Sequence, residues 1–157
     1  MKTIIGIDPG LAGTGIGIVS GERMNISGYS FGAIETRKTD SVAIRLDIIY
    51  TRLVKLLKGQ AFDLMVVEDI FSLEKYPKSG ILLGKVAGVV MLAGAHAGIP
   101  VIEVPVRESK KILSGNGNAD KKQLEKAVRH HLKHQEPIRP FHASDALALA
   151  LIGLFRY

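Results

Sequence analysis

The feature that most constrains the fold is an apolar run that climbs to one acid, Asp8, and stops at Pro9-Gly10. A second apolar run begins at Thr14, so this stretch predicts two antiparallel strands joined by a tight turn. An acid at the end of the first strand lies at the mouth of the sheet, where a ligand or a metal could reach it. Asp8 is equally consistent with a turn-forming residue that hydrogen-bonds its own backbone.

The length and composition of the chain limit the classes of protein to which it can belong. The chain has 157 residues, 46% of them hydrophobic, which fits one domain (1–157) with a full core. Cysteine is absent, which excludes disulfides, thiolate nucleophiles and zinc–cysteine sites and fits a reducing, cytoplasmic setting. The net charge of +6 favours an anionic partner, most often nucleic acid.

A membrane-bound or exported protein is not expected from the apolar runs. The acid at position 8 interrupts the first run too early for a signal peptide. The longest later run, Val86 to Ala95, is too short to span a bilayer. We therefore expect no contact with a membrane.

The periodicity of the remaining chain predicts an α/β fold with a five-stranded mixed sheet flanked by helices. A strand–helix–strand succession leads to Glu68 and favours a parallel pair beside the antiparallel strands. Asp69 alternates to the other face of that strand, so Glu68 is the expected partner of Asp8. The predicted elements after the turn are strand 24–35, helix 42–58, strand 62–68, an exposed loop running through Pro77 to Gly80, helix 81–97, strand 99–104, and helices 105–113, 120–134 and 142–155.

The predicted helix Ile81 to Ala97 is apolar nearly all round, with glycines at four-residue spacing and Lys85 and His96 as exceptions. A helix of this kind is buried on more than one face. In a chain this small, that favours a subunit interface. A central core helix is the equal alternative.

The last predicted helix opens with His142 and Asp145, which are three residues apart and project from one helical face. Both are expected in the first turn, where an acid complements the helix dipole and a His can serve as a surface or capping residue. Three antiparallel strands followed by a helix and parallel strands resemble the RNase H-like arrangement, in which Asp8, Glu68 and Asp145 would converge at one sheet edge. Clustered carboxylates repel one another unless cations neutralise them.

These positions are also where the sequence resembles a known family, the RuvC Holliday junction resolvases, which are bacterial crossover junction endodeoxyribonucleases. The matching segments occur in the same order and span nearly the whole chain. The first and last motifs are specific together, although neither is specific alone. The matching segments are Ile5-Gly6-Ile7-Asp8-Pro9-Gly10, Val67-Glu68-Asp69-Ile70-Phe71, Leu83-Gly84 with Gly88, and Ala143-Ser144-Asp145-Ala146-Leu147-Ala148.

The resemblance implies a metal-dependent active site. Asp8, Glu68 and Asp145 match three of the family's four metal-binding catalytic acids, and the fourth position falls at His142. Many relatives have Asp there, although some members of the family also have His. A neutral imidazole brings no negative charge and shifts the preference from magnesium toward manganese. We therefore expect two Mg²⁺ ions per site, with Mn²⁺ also supporting activity.

The resemblance also implies DNA contacts. Phe71 matches the aromatic residue that inserts near the crossover point, where a ring can stack on an unpaired base; a core Phe is the alternative. Lys110 and Lys121 match basic residues that contact the DNA backbone near the scissile phosphate. Four other basic residues could extend that surface but receive no role from the family: Lys85, Arg107, Lys111 and Lys122. The expected outer face of helix 120–134 is a basic ridge of a kind that is usually only solvated, formed by Lys122, Lys126, Arg129 and Lys133.

The function implied by the resemblance is symmetric cutting of four-way junctions during recombination and repair, leaving 5′-phosphate and 3′-hydroxyl ends. The family works as a homodimer, here expected through helix 81–97, and a complex with a branch-migration helicase is conceivable. Two alternatives remain open: another RNase H-like nuclease on branched DNA or RNA–DNA hybrids, and a non-catalytic junction-binding protein. Sugar-kinase and actin-like ATPases need two such domains, for which 157 residues are too few.

Overall fold

The computed structural model describes residues 1–70 and 77–157. In those residues, five strands form one sheet in the order β3-β2-β1-β4-β5, and five helices flank it. The elements are β1 (Lys2–Asp8), β2 (Gly13–Glu22), β3 (Asn25–Glu35), α1 (Val42–Gly59), β4 (Leu64–Asp69), α2 (Pro77–His96), β5 (Val101–Pro105), α3 (Val106–Ser114), α4 (Lys121–Leu132) and α5 (Phe141–Arg156).

The sheet has the mixed topology that the sequence predicts. Strands β1, β2 and β3 are antiparallel neighbours, whereas β4 pairs parallel with both β1 and β5. The central strands β1 and β4 are buried as continuous apolar runs, which is typical of strands covered on both faces. The prediction of a five-stranded α/β fold of the RNase H-like kind is therefore confirmed.

Helix α5 lies directly on the sheet because the strands beneath it carry glycines. A Cβ atom at Gly6 of β1 would lie 2.0 Å from the carbonyl oxygen of Ala146. One at Gly17 of β2 would lie 2.4 Å from the backbone nitrogen of Leu147. Only glycine permits this backbone-to-backbone approach. The contact buries α5 almost completely and fixes its height above the strands.

The two faces of the sheet carry separate cores. On one face, side chains of the strands, such as Val66 of β4, pack against side chains of α4 and α5, such as Leu147. Helices α1 and α2 complete the other, where Leu53, Met65 and Val90 are fully buried. Each cluster draws on alternate residues of the central strands, as the two-residue period of a strand requires.

Helix starts follow the expected capping chemistry in two places. The Ser41 side chain accepts a hydrogen bond from the backbone N–H of Ile44 at the start of α1. Asp120 and Gln123 form a reciprocal capping box at the start of α4, with two hydrogen bonds of 2.8 Å. Asp120 is thus the cap of α4, and that helix ends two residues before the predicted His134.

The predicted loop running through Pro77 to Gly80 is wrong for that part of the chain, because α2 already begins at Pro77. Proline is tolerated in the first turn of a helix, where its missing N–H has no intrahelical partner.

The segment Lys78–His96 is also longer than the apolar run on which the membrane prediction rested. By length and mean hydropathy (1.5) it could cross a bilayer, although a core helix meets the same test; 28% of it is buried.

Candidate active site

The acids at the ends of β1 and β4 meet because these strands are parallel neighbours in register. Ile7 pairs with Val67, so the residues that follow them, Asp8 and Glu68, emerge side by side. The two carboxyl groups lie close enough for Asp8 to raise the pKa of Glu68. The carboxyl ends of parallel strands share one sheet edge, which makes this edge the natural place for a site.

Helix α5 brings the remaining site residues to the same edge. Asp8 pairs with Gly15 of β2, and a Cβ at Gly15 would lie 1.9 Å from the carbonyl oxygen of His142. The first turn of α5 therefore rests on the strand beside Asp8. The resulting cleft has a volume of about 300 Å³. Its lining includes every described residue predicted for the site: Asp8, Glu68, Lys110, Lys121, His142 and Asp145.

His142 is engaged with the acids rather than with the helix end. Its Nδ1–H donates to Asp8 Oδ2 at 2.6 Å. The Asp8 side chain is 8% exposed, whereas that of His142 is 44% exposed and faces the cleft. The cap of α5 is Pro140, and no side chain makes a capping hydrogen bond there. The alternative of a capping role for His142 is therefore wrong.

Asp145 lies deeper in the helix than the sequence predicts. Because α5 begins at Phe141, Asp145 is its fifth residue and belongs to the second turn, beyond the first turn in which an acid complements the dipole. Its place in the cleft is instead set by the three-residue spacing from His142, which puts both side chains on one face.

Burial and mutual repulsion perturb the acids strongly. Burial first, and then the interactions with Asp8 and the charge of Asp145, together raise the pKa of Glu68 to about 9, against the opposing charge of Lys121. Burial, followed by the charge of Asp8, raises the pKa of Asp145 to about 6. The cleft thus concentrates more negative charge than its own cations offset.

The neighbouring groups also change the pKa of the His142 imidazole. Its hydrogen bond to Asp8 raises the pKa of His142 above the ordinary value, although partial burial works in the opposite direction. The neighbouring carboxylate thus stabilises the protonated form of the ring. His142 would have to lose that proton before it could ligate a cation.

Comparison with known proteins identifies the family to which this arrangement belongs. Residues 4–153 match the family model described as "Crossover junction endodeoxyribonuclease RuvC". The RuvC protein of Rhodopirellula baltica is 38% identical over 96% of this chain and 84% of its own length. That of Carboxydothermus hydrogenoformans is 37% identical over 98% of this chain and 96% of its own. The chain belongs to the RuvC family.

The solved structure titled "T. thermophilus RuvC in complex with Holliday junction substrate" has the same fold. It superposes with a TM-score of 0.88 at 28% identity, over 96% of this chain and 92% of that one. RuvC proteins are hydrolases that act as endonucleases, and the nucleases of this family depend on a metal ion.

The cleft residues suit the cation on which RuvC nucleases depend. Within residues 1–70 and 77–157, no group of three or more His, Asp or Glu side chains is already arranged to hold a metal ion. Three carboxylates and one imidazole are nevertheless donors that Mg²⁺ or Mn²⁺ accept. The raised pKa values of Glu68 and Asp145 mark a charge excess that a divalent cation would relieve.

The two predicted lysines, Lys110 and Lys121, lie in the same cleft as the acids. Lys121 is the first residue of α4 and Lys110 belongs to α3, and both line the cleft. Both lower the pKa of Asp145, which measures how strongly their charges reach the acids. The region around them, 106–134, holds eight Lys or Arg and three Asp or Glu, so it carries +5 of the chain's +6.

Two further positions, Phe71 and Asp69, differ from the predicted residues that line the cleft. Phe71 lies outside the described residues, so its contact with DNA stays a prediction. Asp69, which strand alternation assigned to the other face, lines the same cleft as Glu68. It is the last residue of β4 and pairs with Pro105. A cleft at the end of a strand can be lined by residues from both faces of the sheet, so alternation along β4 did not exclude Asp69, and its position as the terminal acid of the strand was the available signal.

Proposed function

We propose that this chain is a Holliday junction resolvase. It cuts two opposing strands of a four-way DNA junction by metal-dependent phosphodiester hydrolysis and leaves 5′-phosphate and 3′-hydroxyl ends, in recombination and repair. The observation that carries the proposal is the convergence of Asp8, Glu68, His142 and Asp145 in one cleft of a RuvC-family chain. The Thermus thermophilus RuvC structure with a Holliday junction substrate supports the choice of DNA.

The four cleft residues are the proposed catalytic metal ligands. Asp8, which lies beside Glu68 and contacts His142, would contribute its carboxylate to the ions. Glu68 and Asp145 would supply the other carboxylate ligands once they have released their protons. When bound, two divalent ions would polarise the attacking water and stabilise the leaving oxygen. Mg²⁺ is the proposed physiological ion, and His142 makes Mn²⁺ an effective substitute.

Lys110 and Lys121 are the proposed contacts to the scissile-strand backbone. Both line the cleft beside the acids, and α3 and α4 belong to the most basic region of the chain. Their charges attract phosphate and keep the repulsion of the carboxylates from excluding it. Phe71 is the proposed stacking residue at the crossover point, on the family resemblance alone.

Helix α2 is the proposed interface of a homodimer. Small or apolar residues spaced three or four apart form an exposed stripe along the outer side of α2. In this stripe, Ile81 is 63% exposed and Leu92 is 49% exposed. A Cβ at Gly88, on the same side, would meet no atom within 4 Å. An uncovered apolar stripe of this kind favours association. A dimer would link two clefts and so explain paired cuts on opposing strands.

The remaining proposals follow from the family resemblance. Residues 1–157 act as a single RNase H-like nuclease domain in the cytoplasm, where the enzyme meets its DNA. A branch-migration helicase is a proposed partner that would deliver the junction.

The test is cleavage of a synthetic four-way junction by the wild-type protein, beside linear duplex and an RNA–DNA hybrid, in Mg²⁺ and in Mn²⁺. Symmetric paired nicks in the junction alone are expected. Cutting of the hybrid would assign the protein to ribonucleases instead. Binding without cutting in either metal would make it a junction-binding protein.

A further inference from the structure

The turn that follows Asp8, residues 9–13, forms one wall of the His142 site and is called here the glycine turn. A Cβ built on Gly10 would lie 3.8 Å from Cε1 of His142. One built on Gly13 would lie 3.7 Å from Cδ2 of the same ring. The backbone of the glycine turn therefore lies alongside the imidazole whose Nδ1–H donates to Asp8.

The carbonyls of the glycine turn are held by two threonines. Thr14 Oγ1–H donates to the carbonyl oxygen of Gly10 at 2.8 Å. Thr36 holds the next two carbonyls, because its hydroxyl donates to Leu11 and its backbone N–H donates to Ala12 at 3.1 Å. Thr36 comes directly after β3, so it ties the edge strand to a turn between the two neighbouring strands.

The Thr36 hydroxyl is in turn oriented by Arg45. The Arg45 Nε–H donates to Thr36 Oγ1 at 2.8 Å, which leaves the Thr36 hydrogen directed at Leu11. Arg45 lies at the start of α1, four residues after the cap Ser41, where a cation opposes the helix dipole. A base in that unfavourable place, half-buried against a hydroxyl, indicates a role other than helix stability.

We propose that Thr36 and Arg45 are positioning residues of the active site, which, on the proposed function, keep His142 against Asp8. They act in series: Arg45 orients the Thr36 hydroxyl, Thr36 fixes the glycine turn, and the turn confines the imidazole. Neither residue lines the cleft that the acids share. Loss of the Thr36 hydroxyl frees the turn to move, and misplacement of a reacting group by about 1 Å can slow a reaction about 100-fold.

The first variant is Thr36→Val, which keeps the shape and the backbone N–H and removes the hydroxyl. We expect single-turnover cleavage at saturating junction to slow by about tenfold or more, with the junction Kd and the melting temperature unchanged. In DNA-free protein, Mn²⁺ binding measured by calorimetry should weaken, and the ring resonances of His142 should shift. Thr36→Ser should restore all of these, and Thr39→Val, at an exposed threonine of the same loop, should alter none.

The second variant tests whether Arg45 acts on the site through the Thr36 hydroxyl, a serial arrangement called here the relay. Arg45→Met should slow cleavage less than Thr36→Val, and the double variant should be no slower than Thr36→Val alone, because both changes act through one hydroxyl. Additive losses, or an Arg45→Met protein whose main defect is weaker junction binding, would overturn the relay.

The proposal and the proposed function fail in different ways. If the wild-type protein does not cut junctions, the function is wrong, while the His142 resonances of DNA-free, metal-free protein still test the positioning. If Thr36→Val leaves those resonances and the cleavage rate unchanged, the positioning role is wrong even though the resolvase stands.

Discussion

The two faces of the sheet pack against their helices in different ways. On the α5 face, glycines such as Gly6 and Gly17 let the helix backbone lie directly on the strands, and the helix is almost entirely buried. On the α1–α2 face, large side chains fill the space, and α2 still leaves Ile81 and Leu92 exposed. The first face is closed within one chain, whereas the second presents apolar surface.

This difference assigns the two faces different tasks. His142 and Asp145 belong to the helix on the closed face, so the packing of α5 sets their distance from Asp8 and Glu68. From the open face, Leu83 of α2 lines the cleft, and Arg45 of α1 reaches the site only through Thr36. We therefore expect changes on the α5 face to weaken folding and catalysis together, and changes on the exposed side of α2 to weaken association while leaving folding intact.

The largest effect is expected for Gly17→Val on the closed face. Its side chain would meet the backbone nitrogen and Cα of Leu147 at 2.4 and 2.6 Å, and backbone atoms cannot yield as a flexible side chain can. The free energy of unfolding should fall by about 3 kcal/mol or more, measured by urea denaturation. Gly32→Val is the matched control, since a Cβ there meets nothing within 4 Å. Equal losses in the two variants would show that the close packing of α5 is not what matters.

The next effect is expected on the open face, from Gly88→Glu. The added side chain has free space within the chain, so folding should be retained, but a charge would enter the proposed interface. Sedimentation should show monomers, and junction cleavage should change from paired to single nicks. Gly28→Glu on β3, which is equally free of contacts, should remain dimeric. A dimeric Gly88→Glu protein would contradict the assignment of α2.

At the catalytic end of α5, His142 can be varied without disturbing the packing on Gly15, because the atoms nearest to Gly15 are its carbonyl group and Cβ, which Ala and Asp both keep. His142→Ala should lower the cleavage rate about 100-fold through loss of a ligand or proton-handling group. His142→Asp should retain cleavage and favour Mg²⁺ more than the wild type does. Rates in the two metals measure both changes. A fully active His142→Ala protein would remove His142 from the site.

The smallest effect is a change in how stability depends on pH in metal-free protein. The pKa of Glu68 is raised from 4.5 to about 9, so between these values the folded chain holds a proton that the unfolded chain has released. Stability should therefore fall as pH rises through this range. Glu68→Gln removes that contribution and should flatten the decline in urea unfolding from pH 5 to 9 with EDTA. The decline should not vanish, because Asp145 and His142 also have raised pKa values. Identical slopes would contradict the burial of Glu68.

Much of this arrangement could be predicted from local sequence. The runs that end at Asp8 and Glu68 fix two strand ends, and parallel pairing then requires the acids to meet. The spacing of His142 and Asp145 places them on one helical face. These predictions succeed because each depends on a few neighbouring residues and on the period of a strand or a helix.

Other features depend on residues far apart in the chain and could not be predicted in this way. Arg129 was expected on an exposed basic face of α4, but it pairs at 2.7 Å with Glu125, one helical turn earlier. The four-residue spacing of this pair was visible in the sequence, whereas the burial of Glu125, which is 4% exposed, was not. The Glu125 carboxylate also accepts from the backbone N–H of Ile138 at 2.9 Å. The contact of Arg45 with Thr36 is similar, since neither residue type nor spacing marks two polar residues of a loop and a helix as partners.

The most direct test of the central claim, that the cleft around Asp8 cuts four-way junctions, is cleavage and binding by Asp8→Asn. The variant keeps the size of the side chain and removes one negative charge from the cleft. We predict that it binds a labelled four-way junction at least as tightly as the wild type and produces no nicks in Mg²⁺ or Mn²⁺. Paired nicks at the wild-type rate would show that the chemistry is performed elsewhere and would contradict the account.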